Sequence, residues 1–247
     1  MNTPKPGIAA LLPALLLAAV FSALPRHADA GVFSVTPVRI YMQPRDRAVA
    51  ITLTNEGDTE VALQADINVW TQKPDGTDEL VLTEDLILSP PIIKLAPKAR
   101  QVVRLALLKP ADASRQLTYR MIVREVPEAT AASNKTIEVP IALALSLPVF
   151  ITPPVAKRDV NCSAARGAAQ ALVATCANTG TAYAQVRDVT FKRGEQLLAR
   201  LEGGTYILPG ASRPLSANST QPVSPGPMQV TVTFDDGKSQ SFEAVLP

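Results

Sequence analysis

The chain has 247 residues, with 24 basic and 22 acidic side chains for a formal charge of +2. That balance lacks the electrostatic footprint of a nucleic-acid binder. Twenty-two prolines, together with frequent Val, Ile and Thr, favour many short strands over helices.

Residues 1–30 read as a secretory leader. Lys5 supplies a positive start, Ile8 to Leu24 form an apolar run interrupted by Pro13, and Ala28-Asp29-Ala30 offers small residues for cleavage. The run is short for a membrane span, and no later stretch is long and apolar enough without prolines or charges, so no membrane insertion is expected. Loss of Lys5, Arg26 and Asp29 with the leader lowers the charge by one. The remainder is long enough for two domains of about a hundred residues each, or for one larger all-β domain.

Val32 to Met42 reads as a first strand, kinked or at an edge because of Pro37. Ala48 to Thr54 follows, closed by the turn Asn55-Glu56-Gly57-Asp58, and Glu60 to Thr71 alternates up to Trp70, the only tryptophan. Pro74-Asp75-Gly76 is a turn, since proline presets φ and glycine accepts positive φ. Leu80 to Thr83, Gln101 to Leu108 and Leu117 to Val126 are further strands, and Pro127 to Lys135 is a polar loop.

Thr136 to Thr152 is the longest run. Every odd position from Ile137 to Ile151 is Ile, Leu or Val, while the even positions up to Pro148 are polar, small or proline. A period of two places the branched row on one face of an extended strand, and Pro140 and Pro148 rule out a helix. Two readings fit. The row faces its own core throughout, or part of this long edge is taken up by another chain, since a monomer avoids exposing such an edge. About seven strands with turns between them match an immunoglobulin-like sandwich.

After Pro153-Pro154, strands are expected at Ala169 to Cys176, Ala182 to Lys192, Gln196 to Leu201, Gln229 to Phe234 and Ser239 to Val245. Asp235-Asp236-Gly237 reads as a hairpin turn. An internal echo links the halves. Asn55-Glu56-Gly57 recurs as Asn178-Thr179-Gly180, and Leu95-Ala96-Pro97-Lys98-Ala99 as Leu208-Pro209-Gly210-Ala211, one residue shorter. In an exported chain the two cysteines, Cys162 and Cys176, are expected to form a disulfide.

The only histidine, His27, lies in the leader, so the mature chain has no imidazole for a catalytic triad or a metal. Nucleophile-elbow, phosphate-loop and dinucleotide fingerprints are absent. The pairs Glu84-Asp85 and Asp235-Asp236 sit in turn-like surroundings. No enzyme activity, cofactor or metal is expected.

These residues resemble the periplasmic chaperones that assemble pili (fimbriae) by the chaperone–usher route. The likeness rests on Val35-Thr36-Pro37-Val38-Arg39, Ser89-Pro90-Pro91, Leu95-Ala96-Pro97, Gln101-Val102-Val103-Arg104-Leu105, Arg124-Glu125-Val126-Pro127 and Leu147-Pro148-Val149-Phe150, in that order. The resemblance implies an all-β chain of two immunoglobulin-like sandwiches set at an angle, here residues 31–152 and 155–247. It also implies pilus subunits and an outer-membrane usher as partners, and the periplasm as location. Chaperone–pilin pairing is a known instance of strand addition, in which the long strand fills the open core of an incomplete subunit. Matched position by position, Val139, Ile141, Leu143 and Leu145 are the donor residues. The alternative function is an exported adhesion or ligand-binding module whose long strand faces inward.

The sequence departs from the better-known branch. Pro148 stands where that branch has a donor-strand lysine, Thr152 where it has an arginine at the contact between domains, and Lys98 where it has glycine. Leu147-Pro148-Val149-Phe150 and Tyr119-Arg120 are similar to the divergent, archaic branch that resembles spore-coat U operons. A slip of the uniform row by two residues would cost little, so something outside it must set the register. Arg39 and Arg120 are the candidates to hold a subunit's terminal carboxylate through charge-assisted bonds. Each also reads as an ordinary arginine on a solvated face.

Overall fold

The computed structural model describes residues 33–127 and 142–247. The expected leader, and the expected donor residues Val139 and Ile141, lie outside the described residues. The first half comprises strands β1 (Phe33–Thr36), β2 (Ile40–Met42), β3 (Ala48–Asn55), β4 (Val61–Gln72), β5 (Asp78–Leu82), β6 (Leu86–Ser89), β7 (Ile92–Leu95), β8 (Arg100–Leu107), β9 (Leu117–Glu125) and β10 (Ala144–Ile151). The second comprises β11 (Val160–Arg166), β12 (Ala171–Asn178), β13 (Ala184–Arg193), β14 (Gln196–Ile207), β15 (Ser212–Asn218), β16 (Gly226–Phe234) and β17 (Ser239–Leu246).

Four sheets result. β1-β3-β8-β6 faces β2-β10-β9-β4-β5, with β7 also on β4, and β11-β12-β15 faces β14-β13-β16-β17. The expected alternation is what closes each sandwich. Ile51, Leu53, Leu63, Val103, Leu105, Met121 and Val123 meet in the first core, and Leu172, Val186, Val189, Phe191, Val230 and Val232 in the second. Each such side chain taken from water contributes about 1.5–3 kcal/mol.

The single strand expected from Val32 to Met42 is two strands in different sheets. The chain crosses from β1 to β2 through Pro37, Val38 and Arg39, so Arg39 lies in the bend and not on a strand. A proline has no N–H to give to a ladder, and the crossover falls there. Four strands were not legible. β6 and β7 are four residues each and bracket Pro90-Pro91. β11 has a polar alternation, and β15 carries Pro214, tolerated because β15 pairs with β12 alone.

The echo between the halves is a repeated motif. Buried Asn55 donates from Nδ2 to Thr59 O (2.7 Å) and Leu95 O (3.1 Å), while its Oδ1 accepts from Gly57 N (2.9 Å). Buried Asn178 donates to Ala182 O (2.8 Å) and Ile207 O (3.0 Å) and accepts from Gly180 N (3.1 Å). The hydrogen bonds align Leu95–Ala99 with Ile207–Ala211, not with Leu208, so the two copies are equally long. Lys98 (φ 58°) and Gly210 (φ 82°) occupy the same left-handed position, where the resemblance expects glycine.

Cys162 and Cys176 form the expected disulfide, directly opposite one another on β11 and β12. Closing that short loop contributes roughly 3 kcal/mol in the chain-entropy model.

Candidate functional site

β10 changes character along its length. Val149 and Ile151 are 0% exposed and Leu147 is buried in the first core, whereas Leu145 only packs on its margin and Leu143 is 38% exposed. The edge changes too. β9 pairs with β10 from Ala144 to Ile151, but β2 covers only Val149 to Ile151. From Ala144 to Pro148 the far edge of β10 has no strand partner among the described residues. The strand is therefore half core element and half open edge, ending where the apolar row leaves its own sandwich.

The opposite face of β10 meets the second sandwich. Phe150 stands beside Tyr41 on β2 and Thr118 on β9, and Thr118 Oγ1 donates to Trp70 O (2.7 Å). Phe150 and Trp70 pack into the second core, not the first. Phe150 stacks on Tyr183 with centroids 4.1 Å apart, and Tyr206 meets Trp70 edge-on at 5.2 Å. Three of the chain's four tyrosines and its single tryptophan thus gather at the joint.

One row further along that face lies the arginine site. Pro148 pairs with Arg120, and Arg39 precedes Ile40, the partner of Val149. Alternation puts Pro148 and Arg120 on the face of Phe150. Arg39 and Arg120 both lie close enough to Tyr206 for their charges to act on its phenol. The structure thus brings both predicted arginines to the rings at the joint, with Arg120 opposite Pro148.

Their surroundings differ. Arg120 Cζ sits 3.8 Å from the Trp70 ring centroid, and its Nη1 donates to Ser146 O at 3.4 Å. Burial lowers the Arg120 pKa, against the opposing pull of Asp78 and Tyr206. Arg39 Nη1 pairs with Asp235 Oδ2 at 3.3 Å. Burial opposes the Arg39 charge, but the Tyr41 hydrogen bond and the nearby tyrosines raise its pKa overall. Burial, the Tyr41 hydrogen bond and the Asp235 charge push the Tyr183 phenol upward, so it stays a donor. Tyr41 Oη and Tyr183 Oη lie 2.9 Å apart, and Tyr183 Oη donates to Asp235 at 3.5 Å.

Two glutamines that sequence reasoning missed fix the joint. Gln72 Nε2 donates to Tyr206 O, and Gln72 Oε1 accepts from Leu208 N, each at 2.9 Å. Gln116 Nε2 donates to Thr152 Oγ1 (2.6 Å), and its Oε1 accepts from Tyr183 N (2.8 Å). Thr152, which stands where the better-known branch has an arginine, is thus reached by a buried glutamine from β9's N-terminal approach. The sequence signal for the joint was the scarcity of aromatic residues, 4% of the chain, several of which border it.

No curated protein matches the chain by sequence. Solved structures share its fold. The chaperone–tip subunit pre-assembly complex of CsuC and CsuE from the archaic chaperone–usher Csu pili of Acinetobacter baumannii matches at 18% identity with a TM-score of 0.63, covering 87% of this chain and 99% of that one. The Salmonella enterica SafA pilin in complex with the SafB chaperone matches at 14% identity and a TM-score of 0.57, covering 89% and 98%. The E. coli chaperone DraB matches at 18% identity and 0.55, covering 88% and 97%. Residues 32–157 match the family described as pili and flagellar-assembly chaperone, PapD N-terminal domain. The chain belongs to the pilus-assembly chaperone family.

Proposed function

We propose that this protein is a periplasmic chaperone of the archaic branch that stabilises pilus subunits by donating the free edge of β10, then delivers them to an outer-membrane usher. Its leader would be residues 1–30 and its two domains residues 31–152 and 155–247. The observation that carries this reading is the change along β10 from a buried, doubly paired segment to an exposed one with an open edge. Val139, Ile141, Leu143 and Leu145 are the donor row. They would enter the groove of a subunit that lacks its last strand.

Arg39 and Arg120 set the register by holding the subunit's terminal carboxylate above Pro148. The Arg39–Asp235 pair is partly exposed, so an incoming carboxylate can share or replace Asp235 at little cost. Hydrogen bonds to a charged group contribute about 1.5–3 kcal/mol. Arg39→Ala and Arg120→Ala should each weaken subunit capture by roughly tenfold to a hundredfold on that basis. The loss should vanish when the subunit lacks its last residues. Two alanine variants that bind full-length subunit like wild type would remove both arginines from the site.

A further inference from the structure

Next to Arg39, on the wall of the second sandwich, is a polar cavity of about 770 Å³. Its floor is a double irregularity in the β13–β14 ladder. Register shifts between Val186 and Asp188, leaving Arg187 without a cross-strand partner, while Gly203 and Gly204 lie opposite. The bare glycines make room: a Cβ on Gly203 would meet nothing, and one on Gly204 would stand 3.2 Å from Gln185 Nε2.

Two groups there are unsatisfied. Gln185 is only 8% exposed, yet its Oε1 has no hydrogen-bond partner among the described residues. A buried acceptor left so costs about 1–3 kcal/mol. Arg39 pairs with Asp235, and Arg200 with Asp188 and Glu202. Among the described residues, exposed Arg187 has no carboxylate within ion-pair distance, so the cavity, whose three arginines and three carboxylates balance, holds one unpaired arginine beside one unpaired acceptor.

We infer that this cavity is a second client site, which takes an extended segment of the bound subunit that carries one carboxylate. A backbone N–H of that segment would donate to Gln185 Oε1, a carboxylate would pair with Arg187, and the segment would lie over Gly203 and Gly204. Arg39 lines both this cavity and the carboxylate site, so one subunit can occupy both. The inference rests on the chaperone reading above.

The test uses a pilus subunit that the wild-type chaperone captures on periplasmic co-expression. The readout is the half-life of the complex in an excess of differently tagged wild-type chaperone. Arg187→Glu should shorten it by about tenfold or more. Lys192→Glu, the same charge change on β13 outside the cavity, should change it less than about twofold. Gln185→Met should shorten it by about fivefold while leaving the melting temperature unchanged or higher, because it removes an unpaired buried amide. A wild-type half-life for either cavity variant, or an equal loss for Lys192→Glu, overturns the second site. Leu143→Asp separates the two claims. If it abolishes capture while the cavity variants behave like wild type, only the second site is lost. If it captures normally, the donor-strand reading on which the second site rests fails.

Discussion

Leu143→Asp is expected to abolish subunit capture without unfolding the chaperone. Leu143 is 38% exposed and lies just before β10, outside the first core. Its replacement therefore removes little from the stability of the free protein. In the complex the position would face an apolar groove. Four donor side chains together would contribute roughly 6–12 kcal/mol before ordering costs. An aspartate among them loses one such contribution and puts a carboxylate where nothing can hydrate it, at a cost of several kcal/mol. Copurification of subunit with the variant, beside its thermal melting curve, reads both halves of this expectation. Normal recovery of subunit would show that Leu143 does not enter the groove.

Phe150→Ala should produce the largest loss of stability. Phe150 is 0% exposed and its ring touches Tyr41, Trp70, Tyr183 and Tyr206. Truncating a buried phenylalanine costs about 3–5 kcal/mol, part of it for the cavity left behind. The cavity would open at the joint, so the second core loses a member supplied by the first sandwich. Arg120 would also lose order, because it rests on the Trp70 ring that Phe150 supports. Denaturant unfolding should report the loss, and small-angle scattering should report a less defined angle between the sandwiches. A change below about 1 kcal/mol would mean that the joint is held by Gln72 and Gln116 and not by its rings.

Much of the fold was legible because alternation reports which face of a strand is buried. β3, β4, β8 and β9 lie within a residue or so of where the pattern put them. The repeated asparagine turn was visible as Asn55-Glu56-Gly57 and Asn178-Thr179-Gly180, although its register could be set only by the hydrogen bonds to Leu95 and Ile207. Alternation says nothing about partners. Phe150 and Trp70 read as ordinary strand residues, yet they belong to the neighbouring core. The same holds for Gln116 and Tyr183, which are far apart in the chain and meet only once both sandwiches exist. The strand expected from Gln196 to Leu201 in fact continues through a bulge at Gly203 and Gly204 to Ile207.

Both arginines were found through family likeness, and the cross-strand register then gave their placement a physical basis. Pro148 cannot supply a charge; Arg120 is its partner across the sheet, and Arg39 leads into β2, which joins β10 one residue further on. That substitution takes the positive charge off this strand. It leaves the donor strand free of any charged side chain from Ala142 to Ile151.

The most direct test of the central claim is amide hydrogen exchange on the free chaperone and on its complex with a captured subunit. Strand donation predicts a strong slowing of exchange from Val139 to Leu147, because the open edge of β10 acquires a ladder partner. It also predicts little change in β11 to β12, which lie away from the edge. Unchanged exchange from Val139 to Leu147 in a complex that remains intact would contradict it.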